Sequence, residues 1–245
     1  MLVVADVNDK DGSPQDTYRS MMTSVTEQLH NLQLPCVDVL RFTTVVRNTA
    51  PAKCEAAIRA FKQIKKQGKA RYLAFSQHDP NIMLEWIERY EEIDIVYMPY
   101  NYFASKADQE LFPLARKKDL GIVVIKPFNK GTIFDPRLAQ LIKGSGSLSV
   151  LGRAEKEGEG RNPEDLTRGT GLTLAQASLR FILSRPEVST VIPGMETVEE
   201  VRENLKAAHG AACGPAEKRL LAGYCGHCKN ALPLDYRWLC DWRRA

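Results

Sequence analysis

The side chains with the clearest metal-binding potential lie near the C-terminus. Cys225 and Cys228 form a Cys-x-x-Cys pair, and Cys240 follows further along. Thiolates at short spacing are typical zinc ligands, and Cys213 and His227 could complete a tetrahedral set. The alternative is a group of free thiols that binds no metal. We therefore predict Cys225, Cys228 and Cys240 as metal ligands, in a separate C-terminal segment, residues 209–245.

Upstream of this segment, short apolar stretches alternate with amphipathic ones. The amphipathic stretches have apolar residues at helical spacing and predict helices. The apolar stretches are typical of strands that are covered on both faces. They are Leu2–Val7, Val37–Phe42, Arg71–Ser76, Asp94–Pro99, Gly121–Lys126 and Val188–Pro193. This alternation, with short links, predicts an α/β fold around a parallel sheet, either a barrel or an open sheet.

Two of the predicted helices begin with a pattern that fixes their first turn. Thr173 with Gln176, and Thr197 with Glu200, have the three-residue spacing of a capping box. Between the fifth strand and the first of these helices, residues 143–171 are rich in glycine, serine and charge. Such a composition buries little apolar surface and predicts a long surface loop.

Composition and missing motifs exclude several classes of protein. The chain has 245 residues, 44% of them hydrophobic and 26% charged, which is typical of a soluble globular protein. Its net charge of +4 is spread along the sequence, and no basic stripe is interleaved with aromatics, so we predict no nucleic-acid partner. No apolar run approaches the ~20 residues of a membrane span, and a cytoplasmic location is the default prediction. The glycine patterns of the Rossmann fold and of the P-loop are absent.

Several strand-end motifs together resemble one known family. Residues 68–76 (GKARYLAFS) are similar to a "G-K-x-R-x-x-G-x-S" strand, and residues 99–101 (PYN) to an "x-Y-N" strand end. Residues 121–128 (GIVVIKPF) resemble "G-V-x-x-x-x-P-L". Residues 192–194 (IPG), followed by Glu203-Asn204, match "I-P-G…E-N". In this order and spacing, the motifs resemble the aldo-keto reductase family.

The resemblance implies a (β/α)8 barrel of the TIM type. It covers about residues 15–208 and enters the barrel at the third strand, so we expect the first two βα units to be lacking. Residues 1–208 would then form a partial barrel, followed by the cysteine-containing tail. A barrel without two strands has exposed edges, which favour self-association.

The resemblance also implies a nicotinamide cofactor, NADP or NAD, and a small-molecule carbonyl substrate. The predicted cofactor-binding residues are Ser76, Gln77, Lys126, Pro127, Phe128, Gly194, Met195, Glu203 and Asn204. Glu200 stands where many NADPH-specific members have an arginine for the 2′-phosphate. Its carboxylate would repel that phosphate, but the capping box explains Glu200 equally well.

The catalytic residues of the family do not match this chain. In the family, a tyrosine donates a proton while a lysine, an aspartate and a histidine assist it. The aspartate and the tyrosine have no counterpart here, Asp6 stands at the lysine position, and Thr43 stands at the histidine position. We therefore predict no catalytic residue. An oxidoreductase by descent is the leading interpretation. The alternatives are a catalytically silent protein that binds a nucleotide, a metal or a partner, and a truncated product without function.

One branch of the family adds a second interpretation of the cysteine tail. That branch carries a C-terminal iron–sulfur segment, and the tail from Cys225 to Cys228 resembles its start. An iron–sulfur cluster needs four thiolates, and the further cysteines of the branch are missing here. Iron–sulfur, zinc and free thiols therefore stay open.

Overall fold

The structure of the chain, a computed structural model, describes residues 3–8, 13–43, 51–101, 105–134, 171–210 and 214. The chain divides into two compact units. The first unit comprises Met1–Met98 and Pro113–Ile122. The second unit comprises Pro99–Phe112 and Val123–Ala245. The predicted boundary between a barrel and a tail at residue 208 stays a prediction, because almost all of the tail lies outside the described residues.

Strands and helices alternate along the described residues, as the sequence predicts for this α/β fold. The strands are β1 (Val4–Asn8), β2 (Val37–Thr43), β3 (Ala70–Ser76), β4 (Ile95–Pro99), β5 (Gly121–Ile125) and β6 (Val188–Ile192). The helices are α1 (Pro14–Leu32), α2 (Pro51–Lys66), α3 (Pro80–Arg89), α4 (Leu111–Lys117), α5 (Leu174–Leu183) and α6 (Val198–Ala208). Strands follow one another in the sheet in chain order, which is the βα alternation of the predicted barrel type.

The register of the first unit fixes which strand-end residues are neighbours. Strands β1 to β4 pair in parallel. Asp6 lies opposite Arg41, and Thr43 lies opposite Ser76. Ser76 in turn lies opposite Tyr97. Since side chains alternate between the two faces of a strand, directly opposed residues share one face. The carboxyl ends of β2, β3 and β4 therefore carry Thr43, Ser76 and Tyr97 in one row.

Both predicted capping boxes are confirmed. The Thr173 hydroxyl accepts the backbone N–H of Gln176 at 3.2 Å, and the Gln176 side chain accepts the N–H of Thr173. Thr197 and Glu200 make the same two contacts at the start of α6. Each box satisfies N–H groups that the first helical turn leaves without a partner.

The amphipathic stretch after the fourth strand predicts a helix from Ala107 to Lys118, and this prediction is wrong at its start. The structure has a 3-10 turn at Lys106–Asp108, and α4 begins only at Leu111. Pro113 supplies the reason, because proline has no N–H and its ring clashes with the carbonyl four residues earlier in a helix interior. A helix that begins at Leu111 puts Pro113 in the first turn, where no N–H partner is needed.

Each unit has its own aromatic core. In the first unit, the Trp86 ring of α3 stacks on Phe75 of β3 with centroids 4.0 Å apart. In the second unit, the buried Tyr100 ring contacts Phe112 and Phe181, with centroids 4.9 and 5.8 Å away. The strand ends are thus held on packed scaffolds within each unit, which suits a binding site.

The structure adds little to two further predictions. Across the described residues, we find no helix that is both long enough and apolar enough to cross a membrane. Strands β1 and β6 end the strand order of the described sheet. Self-association through such edges stays a prediction.

Candidate functional site

A cavity in the second unit gathers most of the predicted cofactor-binding residues. Its volume is about 680 Å³, within the roughly 300–1,000 Å³ that small-molecule and cofactor sites occupy. Seven of the nine predicted residues line it: Lys126, Pro127, Phe128, Gly194, Met195, Glu203 and Asn204. The lining combines apolar side chains with a few charged ones. Such a mixture is typical of sites that bind a ligand with both a ring system and polar groups.

The backbone at Lys126 gives one wall of this cavity its form. Lys126 follows β5 and has a left-handed backbone with φ 53°, which is uncommon for a residue with a side chain. The Asn101 side chain is fully buried, and its amide donates to the Lys126 carbonyl at 3.1 Å. Asn101 therefore holds the chain in the conformation that leads Pro127 and Phe128 along the cavity.

The charges around the cavity are mostly negative. Lys126 is the single cation among its described lining residues, whereas Glu196, Glu200 and Glu203 bring three carboxylates. The Glu200 carboxylate accepts the backbone N–H groups of Glu196 and Thr197 at 2.6 and 3.1 Å. These bonds lower the pKa of Glu200, so it stays charged at neutral pH. The cavity thus disfavours a ligand with many negative charges near Glu200.

We expect the two capping boxes to respond differently to acid. Because the folded state lowers the pKa of Glu200, its contribution to the free energy of unfolding is present above the unfolded pKa and lost as pH falls through the folded one. Denaturant unfolding of Glu200→Gln should therefore differ most from wild type at pH 7 and least at pH 3. Gln176→Glu is the matched control, because it adds a carboxyl group to the neutral capping box. It should stabilise the folded protein only at pH values above the pKa of that group. Equal pH profiles for wild type and Glu200→Gln would contradict the expectation.

The two remaining predicted cofactor residues, Ser76 and Gln77, lie in the first unit. Both are buried at the end of β3. The Gln77 side-chain oxygen accepts the backbone N–H groups of His78 and Asp79 at 2.6 and 3.1 Å. Gln77 thus already uses its oxygen within the turn that leads to α3. A cofactor contact by Ser76 or Gln77 stays a prediction.

A polar group that we call the strand-end cluster occupies the carboxyl ends of the first unit's strands. It consists of Asp6 on β1, Arg41 and Thr43 on β2, and Tyr97 on β4. The Arg41 guanidinium donates to the two Asp6 carboxylate oxygens at 3.0 and 2.5 Å, and the Thr43 hydroxyl donates to Asp6 at 3.1 Å. The guanidinium carbon lies 4.9 Å from the centre of the Tyr97 ring, a cation–π geometry. Asp6 and Thr43 are thus fixed by mutual contacts.

Sequence reasoning found Asp6 and Thr43 but missed Arg41 and Tyr97. A usable signal was present, because Arg41 is a charged residue inside the otherwise apolar end of β2. Tyr97 gave no signal, since aromatic residues are common in buried strands. Burial raises the pKa of the Tyr97 phenol while Arg41 opposes that rise, so the hydroxyl is a protonated donor at neutral pH.

A second polar group in the second unit was also missed. The Tyr100 hydroxyl donates to Asp108 at 2.7 Å, and Arg185 donates both to the Tyr100 oxygen at 2.9 Å and to Asp108. Burial raises the pKa of Asp108, although both partners oppose that rise. Tyr100 is fully buried, so this group fixes the residue that directly precedes Asn101 in the chain.

The predicted metal ligands Cys225, Cys228 and Cys240 lie outside the described residues, as do Cys213 and His227. Within the part of the chain that the structure describes, no three His, Cys, Asp or Glu side chains come together to hold a metal ion. The zinc, iron–sulfur and free-thiol interpretations of the tail therefore stay predictions.

The βα order, the strand-end motifs and the cavity beyond β5 define a barrel-type α/β protein with a ligand cavity. The profile of the Aldo/keto reductase family matches residues 2–211. The chain therefore belongs to the aldo/keto reductase family, as its motifs predict. The match includes all the residues that line the cavity.

Relatives in the family share about a quarter of their residues with this chain. The uncharacterized oxidoreductase YqkF of Bacillus subtilis (strain 168) is 28% identical over 177 residues, 69% of this chain and 55% of that protein. A probable voltage-gated potassium channel subunit beta of Arabidopsis thaliana is 29% identical over 196 residues, 73% of this chain and 58% of the relative. The NADH-specific methylglyoxal reductase of Escherichia coli (strain K12) is 21% identical over 201 residues, 77% and 59% of the two chains. The chain spans about half the length of the curated relatives it matches.

Solved structures support the same fold. The apo form of an aldo-keto reductase from Bacillus halodurans superposes with a TM-score of 0.65 at 20% identity, covering 90% of this chain and 81% of that one. Its holo form gives the same values. At this identity the likeness concerns the fold alone, and it confirms the predicted TIM-barrel type.

Proposed function

We propose that this protein binds a nicotinamide dinucleotide through the cavity of its second unit, and that it prefers NADH to NADPH. The observation that carries the proposal is the convergence of seven predicted cofactor residues on one cavity. Members of the family generally use these cofactors. The proposal concerns binding, and it does not depend on turnover.

The described lining residues fit the adenosine part of such a cofactor. The Phe128 and Phe134 rings lie 5.4 Å apart and offer apolar faces for a base. Carboxylates such as Glu200 and Glu203 can accept hydrogen bonds from ribose hydroxyls, as acidic residues do in NAD sites of other folds. Lys126 would offer its cation to a phosphate. When bound, the cofactor would supply a hydride for carbonyl reduction.

The preference for NADH follows from charge. NADPH carries an additional 2′-phosphate, and three carboxylates against one cation line the described cavity. Like charges at close range disfavour binding, especially where water is partly excluded. The Escherichia coli relative is named an NADH-specific methylglyoxal reductase, which agrees with this preference and with a small carbonyl substrate.

Calorimetric titration of the full chain with NADH and NADPH tests the proposal. We expect saturable binding of NADH that is at least about tenfold tighter than that of NADPH, a difference of about 1.4 kcal/mol. Glu200→Gln should narrow this ratio, because glutamine can keep the cap, as Gln176 does in α5, without the charge. Lys126→Gln should weaken both cofactors. Failure of both cofactors to bind would refute the proposal, and an affinity for NADPH equal to or higher than that for NADH in the wild type would refute the preference.

Carbonyl reduction by the usual catalytic set is not part of the proposed function. Asp6, at the position of the family's lysine, is held by Arg41 and Thr43. A carboxylate cannot lower the pKa of a neighbouring phenol as an ammonium does. We therefore favour a nucleotide-binding protein with little or no turnover of simple aldehydes. Steady oxidation of NADH by methylglyoxal, well above the rate without protein, would contradict this view.

A further inference from the structure

The strand-end cluster has hydrogen-bond donors that the contacts within the cluster do not use. Arg41 uses its Nε and one Nη for Asp6, and its remaining Nη makes no hydrogen bond to any described residue. The side chain is 27% exposed, and this Nη is not one of the described atoms that are buried without a partner, so it is accessible to a ligand. A guanidinium edge presents N–H donors in a geometry that matches an oxyanion.

Tyr97 offers a second donor at the same place. Its ring lies under the Arg41 guanidinium and its residue is only 4% exposed. Among the described residues, no partner accepts a hydrogen bond from its hydroxyl. The hydroxyl oxygen is not one of the described side-chain atoms that are buried without a partner, so it reaches solvent and is open to a ligand. An open guanidinium edge and an unpaired phenol therefore adjoin each other.

We propose that Arg41 and Tyr97 bind the carboxylate of a small organic acid at the carboxyl ends of the first unit's strands. Ligands of parallel α/β folds bind at this end of the strands. Asp6 and Thr43 are positioning residues: Asp6 fixes the guanidinium, and Thr43 fixes Asp6. The guanidinium edge favours an anion such as the carboxylate of a 2-oxo acid over a neutral ketone of the same size.

The charge of the cluster sets the strength expected of such a site. Asp6 neutralises much of the Arg41 charge, so binding should be weak but selective for an anion. Removing the Asp6 charge should strengthen it, whereas removing the Arg41 charge should abolish it. These opposite directions separate anion binding from a general loss of structure, which would weaken binding in both variants.

Titration of the full chain with 2-oxobutanoate, followed by NMR chemical shifts, tests the proposal without cofactor. We expect saturation by the acid and none by butanone, the neutral ketone of equal carbon number. Arg41→Gln should weaken binding at least tenfold, Tyr97→Phe severalfold, and Asp6→Asn should tighten it. Arg71→Gln is the matched control with unchanged affinity, because Arg71 of β3 also pairs with an aspartate on a neighbouring strand, Asp38 of β2, but lies outside the cluster.

Several results would overturn the proposal. These are no saturation by the acid, equal binding of butanone, undiminished binding in Arg41→Gln, or tighter binding of inorganic phosphate than of the acid. If Arg41→Gln does not fold, Tyr97→Phe and Asp6→Asn decide, and identical affinities in both would refute it. The NADH titration reports on the second unit, so failure there leaves this test intact, and the reverse holds as well.

Discussion

Arg185→Met is expected to lower the free energy of unfolding by about 3 kcal/mol, the low end of the cost of breaking a buried ion pair. The methionine has a similar length but leaves the Asp108 carboxylate with Tyr100 as its one remaining partner in this group. The low end applies because both charged side chains are nearly 30% exposed. Denaturant unfolding measures the change. A loss of 3 kcal/mol is large against total stabilities of about 5–15 kcal/mol.

The pH dependence of this loss follows from Asp108. Burial already raises the pKa of Asp108 in the folded state, and loss of the Arg185 charge should raise it further. The folded state then binds the Asp108 proton more tightly than the unfolded state does. The free energy of unfolding therefore falls as pH rises from the unfolded pKa of Asp108 to its folded pKa. The deficit of Arg185→Met should therefore be larger at pH 7 than at pH 4. Arg202→Met is the control, since its pair with Glu199 is exposed and should change stability by no more than about 0.5 kcal/mol. Equal losses of stability in Arg185→Met and Arg202→Met would contradict a specific stabilising role of the Arg185–Asp108 ion pair.

Asn101→Ala is expected to weaken NADH binding at least tenfold and to lower the free energy of unfolding by about 1–3 kcal/mol. The substitution removes the amide that donates to the Lys126 carbonyl at 3.1 Å. The left-handed backbone of Lys126 then loses a contact that holds it, and the wall formed by Pro127 and Phe128 can shift. Calorimetry and denaturant unfolding measure the two effects separately.

The control for Asn101→Ala is Asn31→Ala, at an exposed position near the end of α1. It should leave NADH affinity unchanged and stability within about 0.5 kcal/mol. Asn101→Asp should be at least as harmful as Asn101→Ala at pH 7, because a carboxylate would face the carbonyl without a hydrogen to donate. Wild-type affinity in Asn101→Ala would mean that the backbone at Lys126 does not depend on this amide.

Local signals predicted most of the fold. The apolar strands, the two capping boxes and the motif-bearing strand ends are each encoded within a few residues, so a single sequence is enough to find them. The start of α4 also has a local cause, because Pro113 is tolerated in the first turn of a helix but not in its interior. Seven cavity residues were predicted by resemblance, since six belong to the matching motifs and Met195 directly follows one of them.

Contacts between distant residues could not be predicted in this way. Arg41 and Asp6 are 35 residues apart, and Arg185 and Tyr100 are 85 residues apart. Such pairs depend on strand register and loop paths, which no local pattern specifies. The backbone of Lys126 is a similar case, because left-handed conformations are usually marked by glycine or asparagine. A lysine at position 126 therefore does not indicate a left-handed turn in the sequence.

The left-handed turn at Lys126 means that the form of the cavity and its positive charge can be altered independently. The main chain and the Asn101 amide determine the form, whereas the lysine side chain supplies the charge. Asparagine adopts the same backbone conformation readily, so Lys126→Asn would remove the positive charge from the cavity wall and leave the shape of that wall unchanged. The attraction of this wall for an anionic ligand could then be changed at this single position without rebuilding the strand that leads to it.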